Sequence, residues 1–112
     1  MIDKIELLIS ILLDNAARED ERDDAAMDLG KFDDSRALDA LSQIASNPDE
    51  CETILDSCGE SVAKILVRRG DYRKIIFDQL TSTAKRAAYS FIREVKPEWI
   101  EQYQLEKDKF LD

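Results

Sequence analysis

Apolar residues return every three or four positions along nearly the whole chain, the spacing that lines one face of an α-helix. Ile2, Ile5, Leu8, Ile9, Leu12 and Leu13 form the first stripe, and Leu7 and Ile11 widen it into a helix buried more deeply than its neighbours. Asp14-Asn15 offers its exit. A second helix opens on the acidic run Glu19-Asp20-Glu21-Arg22-Asp23-Asp24 and carries Ala25, Ala26, Leu29 and Phe32 on its apolar face. Carboxylates in a first turn suit the positive end of the helix dipole. Gly30 to Ser35 reads as a turn closed by an N-cap. Leu38, Leu41, Ile44 and Ala45 then stripe a third helix that ends at Ser46-Asn47-Pro48-Asp49, with Asp49 placed to cap the next.

From Asp49 to Gly70 the pattern fits either one bent helix or two short ones. Ile54, Leu55 and Cys58 make one apolar face, Val62, Ala63, Ile65, Leu66 and Val67 another, and Gly59 stands between them. Ser57-Cys58-Gly59-Glu60 has the spacing of a capping box, which favours a break near Gly59. Substitution separates the two readings. In a continuous helix Gly59→Ala stabilises by up to about 1 kcal/mol, whereas at a tight turn Gly59→Val costs roughly 1 kcal/mol or more. Arg68, Arg69 and Gly70 suit a helix C-terminus, cations for the negative dipole end and glycine for a left-handed exit. Asp71 is placed to cap a short helix bearing Tyr72, Ile75, Ile76 and Leu80. Ala84, Ala88, Phe91, Ile92 and Val95 stripe another, and Pro97 opens a last helix with Trp99, Ile100, Tyr103 and Phe110. The expectation is an all-α protein of about six to seven helices.

Composition narrows this further. A chain of 112 residues fits one domain, residues 1–112. With 44% hydrophobic residues it has material for a core, and with 3 Gly and 2 Pro it has little for hairpins. Charge is scattered through the first apolar segment and no small-residue cleavage pattern follows it, so no secretory leader is expected. Leu7 to Leu13, the longest uncharged apolar stretch, is far below the ~20 residues of a membrane span. A cytoplasmic location follows as the expectation. Seven helical positions separate Cys51 from Cys58, about 10 Å along a helix, so the two read as reduced core thiols and not as a disulfide.

Charge changes the functional picture. Residues 1–60 hold 17 Asp and Glu against 5 Lys and Arg, a net of −12, while residues 61–112 hold 8 against 11, a net of +3. An acidic half steers cationic partners and repels nucleic acid. Like charges at helical neighbour positions cost stability, so the acidic run points to something besides folding. Asp20, Asp23, Asp24, Asp28, Asp33 and Asp34 are the expected partner-binding residues, forming one solvent-facing negative surface. The basic set Lys64, Arg68, Arg69, Arg73 and Lys74 could bind phosphate, pair with the acidic half or serve helix C-termini.

Catalytic chemistry finds little support. The chain has no His, the commonest general base and metal ligand. Cys51 and Cys58 lack the spacing of a zinc or redox pair, no glycine-rich loop could cradle phosphate, and no acidic pair matches a calcium loop. Neither an enzyme nor a metal or cofactor site is expected.

Three segments can be laid over one another: Ala25-Ala26-Met27-Asp28-Leu29 followed by Ser35-Arg36-Ala37-Leu38, Val62-Ala63-Lys64-Ile65-Leu66 followed by Tyr72-Arg73-Lys74-Ile75, and Ala87-Ala88-Tyr89-Ser90-Phe91 followed by Pro97-Glu98-Trp99-Ile100. Each places a large apolar residue three positions after a small one, then a polar turn, then an amphipathic start. On these residues, above all Asp24 to Gly30 and Asp34 to Leu38, the chain resembles a short, irregular HEAT-repeat array, which implies an alpha-solenoid of stacked helix pairs. The stretch Ile54 to Ile65, with Lys96-Pro97-Glu98-Trp99 downstream, is similar to motifs of small bacterial HEAT-like immunity proteins. That resemblance implies a protein that neutralises a cognate toxin by binding it, with the basic C-terminal half as a departure. The alternative is an adaptor or regulatory subunit of a larger assembly.

Overall fold

A computed structural model describes residues 3–105, and among them the chain forms seven α-helices and no strand. These are α1 (Lys4–Leu13), α2 (Glu19–Leu29), α3 (Ser35–Ala45), α4 (Glu52–Arg69), α5 (Lys74–Gln79), α6 (Ser82–Val95) and α7 (Glu98–Gln102). The central element is α4, which packs on α2, α3 and α6; α1 lies on α2 and α3, and α7 on α6. The apolar stripes meet in one core, with Leu12, Leu29, Leu41, Ile54, Ile65, Leu66 and Ile92 fully buried. A radius of gyration of 13.3 Å is close to the about 13 Å of a compact chain of this length.

Side chains start the helices where the polar clusters stand in sequence. Asp3 accepts from the Glu6 backbone N–H ahead of α1, Asp34 from Arg36 N–H ahead of α3, and Thr81 from Ala84 N–H ahead of α6. The expected caps are shifted by one or two residues elsewhere: Asp34 takes the place read for Ser35, Cys51 precedes α4 in place of Asp49, and Arg73 precedes α5 in place of Asp71. Pro97 sits one position before α7. Ile2 and Phe110 lie outside the described residues.

The break expected near Gly59 does not occur: α4 runs unbroken for 18 residues from Glu52 to Arg69. Ser57 does not cap it, because its hydroxyl donates to Asp23 of α2, and Glu60 reaches forward to Lys64 at 3.3 Å. Glycine serves there for proximity and not for a turn. A Cβ on Gly59 would stand 2.2 Å from the Ala84 carbonyl oxygen of α6, and one on Gly30 would stand 2.5 Å from the Ser61 hydroxyl of α4. Helix α4 ends instead at Gly70, whose φ of 64° is left-handed. Asp71 N–H returns to Leu66 C=O and Gly70 N–H to Val67 C=O, each at 3.0 Å, so the last carbonyls of the helix are satisfied.

The three segments that overlay in sequence fall in α2, α4 and α6. Their small residues Ala26, Ala63 and Ala88 are all buried.

Candidate interaction surface

The six carboxylates expected to form one negative surface are divided by the fold. Asp33 and Asp34 are paired within the chain at its surface: Asp33 accepts from Arg68 of α4 at 2.6 Å, and Asp34 from Arg36 at 2.9 Å. Arg36 holds Asp34 well below the ordinary carboxylate range. Asp28 is half-buried and meets Lys31 at 3.2 Å, and Asp20 pairs with Arg18 at 3.1 Å. Asp23 was expected to face solvent, but it is half-buried against Ser57. Its position in the turn after the buried Arg22 aims it at α4. Asp24 alone of the six is exposed with no cation within bonding distance among the described residues.

Arg22, the one cation inside the acidic run, is the residue that periodicity should have flagged. It stands three and four positions before Ala25 and Ala26, on the buried face, and is 6% exposed. Its guanidinium forks onto both oxygens of Glu50 at 2.8 Å, and its Nε donates to the Leu12 carbonyl at 2.9 Å. That carbonyl belongs to the last turn of α1, where no helical N–H is available to it. Glu50 lies in the connection from α3 to α4. One side chain thus joins α1, α2 and that connection, and Glu50 is held below the ordinary carboxylate range, chiefly by its bond to Arg22.

Further negative charge stands where α2 and α4 meet. Asp56 is exposed on α4, one turn before Glu60 and next to Ser57, the partner of Asp23. Its carboxyl is raised above the ordinary range, first by partial burial, then by the charges of Glu60 and Asp23, with Arg86 of α6 opposing. Lys64, the partner of Glu60, stands over the half-buried Phe91 ring of α6 at 6.0 Å. Asp56 and Glu60 escaped the sequence reading because an assumed break at Gly59 split α4 just where they sit.

The basic residues of the second half largely serve the fold. Arg68 bridges Asp33 and the Gly30 carbonyl, the latter at 3.1 Å, Lys64 meets Glu60, and Lys74 meets Asp78. Among the described residues no group of three or more His, Cys, Asp or Glu is arranged to hold a metal ion, and no helix is long and apolar enough to cross a membrane. Both cysteines are free; burial pushes the Cys58 thiol up to about 12, so it stays protonated at neutral pH. Comparisons with protein-family models, curated proteins and solved structures gave no match.

Proposed function

We propose that this chain is a protein-binding module, a short HEAT-like array that acts in the cytoplasm and neutralises a cognate basic toxin by covering it. The observation that carries the reading is the crowding of Asp23, Asp56 and Glu60 on the outer side of α2 and α4, beside the exposed Asp24. Asp56 is held there partly desolvated and beside two like charges, only in part offset by Arg86, an arrangement that a cationic partner would relieve. The side-by-side order α2, α4, α6, with α3 behind α4 and α1 behind α2, supports the repeat reading. The partner-binding set carried forward is Asp23 and Asp24 with Asp56; Asp20, Asp28, Asp33, Asp34 and Glu60 already have cations of their own. The expected result with the purified product of the adjacent gene is rapid association that slows steeply with salt. Reversal of Asp24 and Asp56 to Lys should slow association and flatten its salt dependence, with helix content unchanged. A partner bound equally fast by that variant at low salt would sink the reading.

The adaptor reading is favoured by a different place. Ile75 on α5 and Val95 at the end of α6 are 75% and 55% exposed, apolar surface of the kind that larger assemblies cover. Partner capture lost on Ile75→Asp and kept on reversal of Asp24 and Asp56 would select it.

A further inference from the structure

Helix α1 is fastened at both ends by arginines that belong to other helices. At its C-terminal end Arg22 of α2 holds the Leu12 carbonyl at 2.9 Å while clasping Glu50. At its N-terminal end Arg36 of α3 reaches Asp3 at 3.1 Å and Glu6 at 3.3 Å, and is itself oriented by Asp34. Between the two clamps Leu8 and Leu12 are buried and Ile5, Ile9 and Ile11 half-buried against the core, while Leu7 and Leu13 are 51% and 37% exposed. By contrast α4 buries nine residues against three helices. We propose that α1 is a releasable strap, which leaves the α2–α3 surface as a unit when the Glu50 carboxylate is neutralised and Arg22 loses its clasp.

The two clamps differ in kind. Arg36 and its partners are exposed, so water can replace each contact. The Arg22 and Glu50 side chains are 7% and 9% exposed, so a lost partner leaves a charge in the interior. Besides Arg22, the groups near Glu50 are the Cys51 backbone N–H, which donates to it at 3.4 Å just ahead of α4, and the Cys58 thiol on α4, with Asp23 of α2 also felt at Cys58. None of these is a second cation to take over. Because Glu50 titrates lower in the folded chain than in the unfolded one, the clasp is complete above the ordinary carboxylate range. It is lost as pH falls through the folded value. Asp3 and Asp34, both likewise held low, loosen the second clamp in the same direction.

The single tryptophan, Trp99, lies in α7 at the far end of the molecule and reports separately from α1. On lowering the pH of the full-length chain, amide exchange in α1 should accelerate before Trp99 fluorescence changes; coincident changes at one pH would overturn the proposal. At neutral pH, Glu50→Gln should speed exchange in α1 on the order of 100-fold while α6 stays protected. Loss of protection throughout the molecule would instead assign the pair to global stability and overturn the proposal. The paired replacement Arg22→Met with Glu50→Leu removes the titrating group and the stranded charge together. It should keep α1 docked at neutral pH and shift its release to lower pH, and release at the parent's pH would also overturn it.

Discussion

The two ends of the helix succession are closed by different chemistry. At the first end, guanidinium groups reach across helices to carboxylates and a carbonyl: Arg22 to Glu50 and Leu12, Arg36 to Asp34, Asp3 and Glu6. At the other end rings do the work. Tyr72 stacks on Tyr103 with centroids 4.1 Å apart, meets Trp99 edge-on at 5.7 Å and lies 5.9 Å from Phe77, and Lys96 stands over Trp99 at 5.4 Å. Burial pushes the Tyr72 hydroxyl up to about 12. Charge at one end and area at the other mean that pH and salt act on the molecule unequally, though one continuous core joins the two.

The largest effect should come from the ring end. Trp99→Ala removes the 3%-exposed indole that bridges Tyr72 and Tyr103, and should cost about 3–5 kcal/mol in urea unfolding, by the same amount at low and high salt. A salt-dependent loss would erase the distinction between the ends. Gly59→Ala comes next. It attacks the α4–α6 crossing on which both ends hang, and should destabilise by about 1–3 kcal/mol, because the obstacle is the Ala84 backbone and cannot rotate away. Stabilisation by that variant, as an unobstructed helix would give, would show that the helices part at no cost. The smallest effect belongs to Arg36→Met. Its solvent-facing pairs should shift the urea midpoint only slightly, and the difference from the parent should fade toward 1 M salt. A loss as large as that of Trp99→Ala would mean that the exposed clamp, and not Arg22, fastens α1.

The succession of helices was legible because stripes at three- and four-residue steps are a direct image of the buried face. Leu8, Leu12, Leu38, Leu41, Ile44, Ala84, Ala88 and Ile92 all read correctly as core. Gly59 was misread for a physical reason. Glycine permits a turn and also permits a neighbouring backbone to come close, and a single sequence carries the same letter for both. Arg22 was passed over because a charge among charges draws no notice, although its spacing from Ala25 and Ala26 placed it inward. Asp33 depended on Arg68, 35 positions away, and a pairing at that range leaves no local pattern, whereas the partner of Asp34, Arg36, stands only two positions on and was within reach of the sequence. The outer acidic side of α2 and α4 was half legible: Asp20, Asp23 and Asp24 were named from the run, while Asp56 and Glu60 needed α4 to be seen as one helix.

Gly30 and Gly59 also act as a ruler for the surface above them. By letting α2, α4 and α6 lie with almost nothing between their backbones at two crossings, they fix the pitch at which side chains of adjacent helices emerge. That pitch is short enough for Asp56 to feel Asp23 from one neighbour and Arg86 from the other. A methyl group added in the interior at either glycine would spread the rows and dilute the charge density on the outside. The charge pattern of this surface is therefore written partly by two residues that lie beneath it.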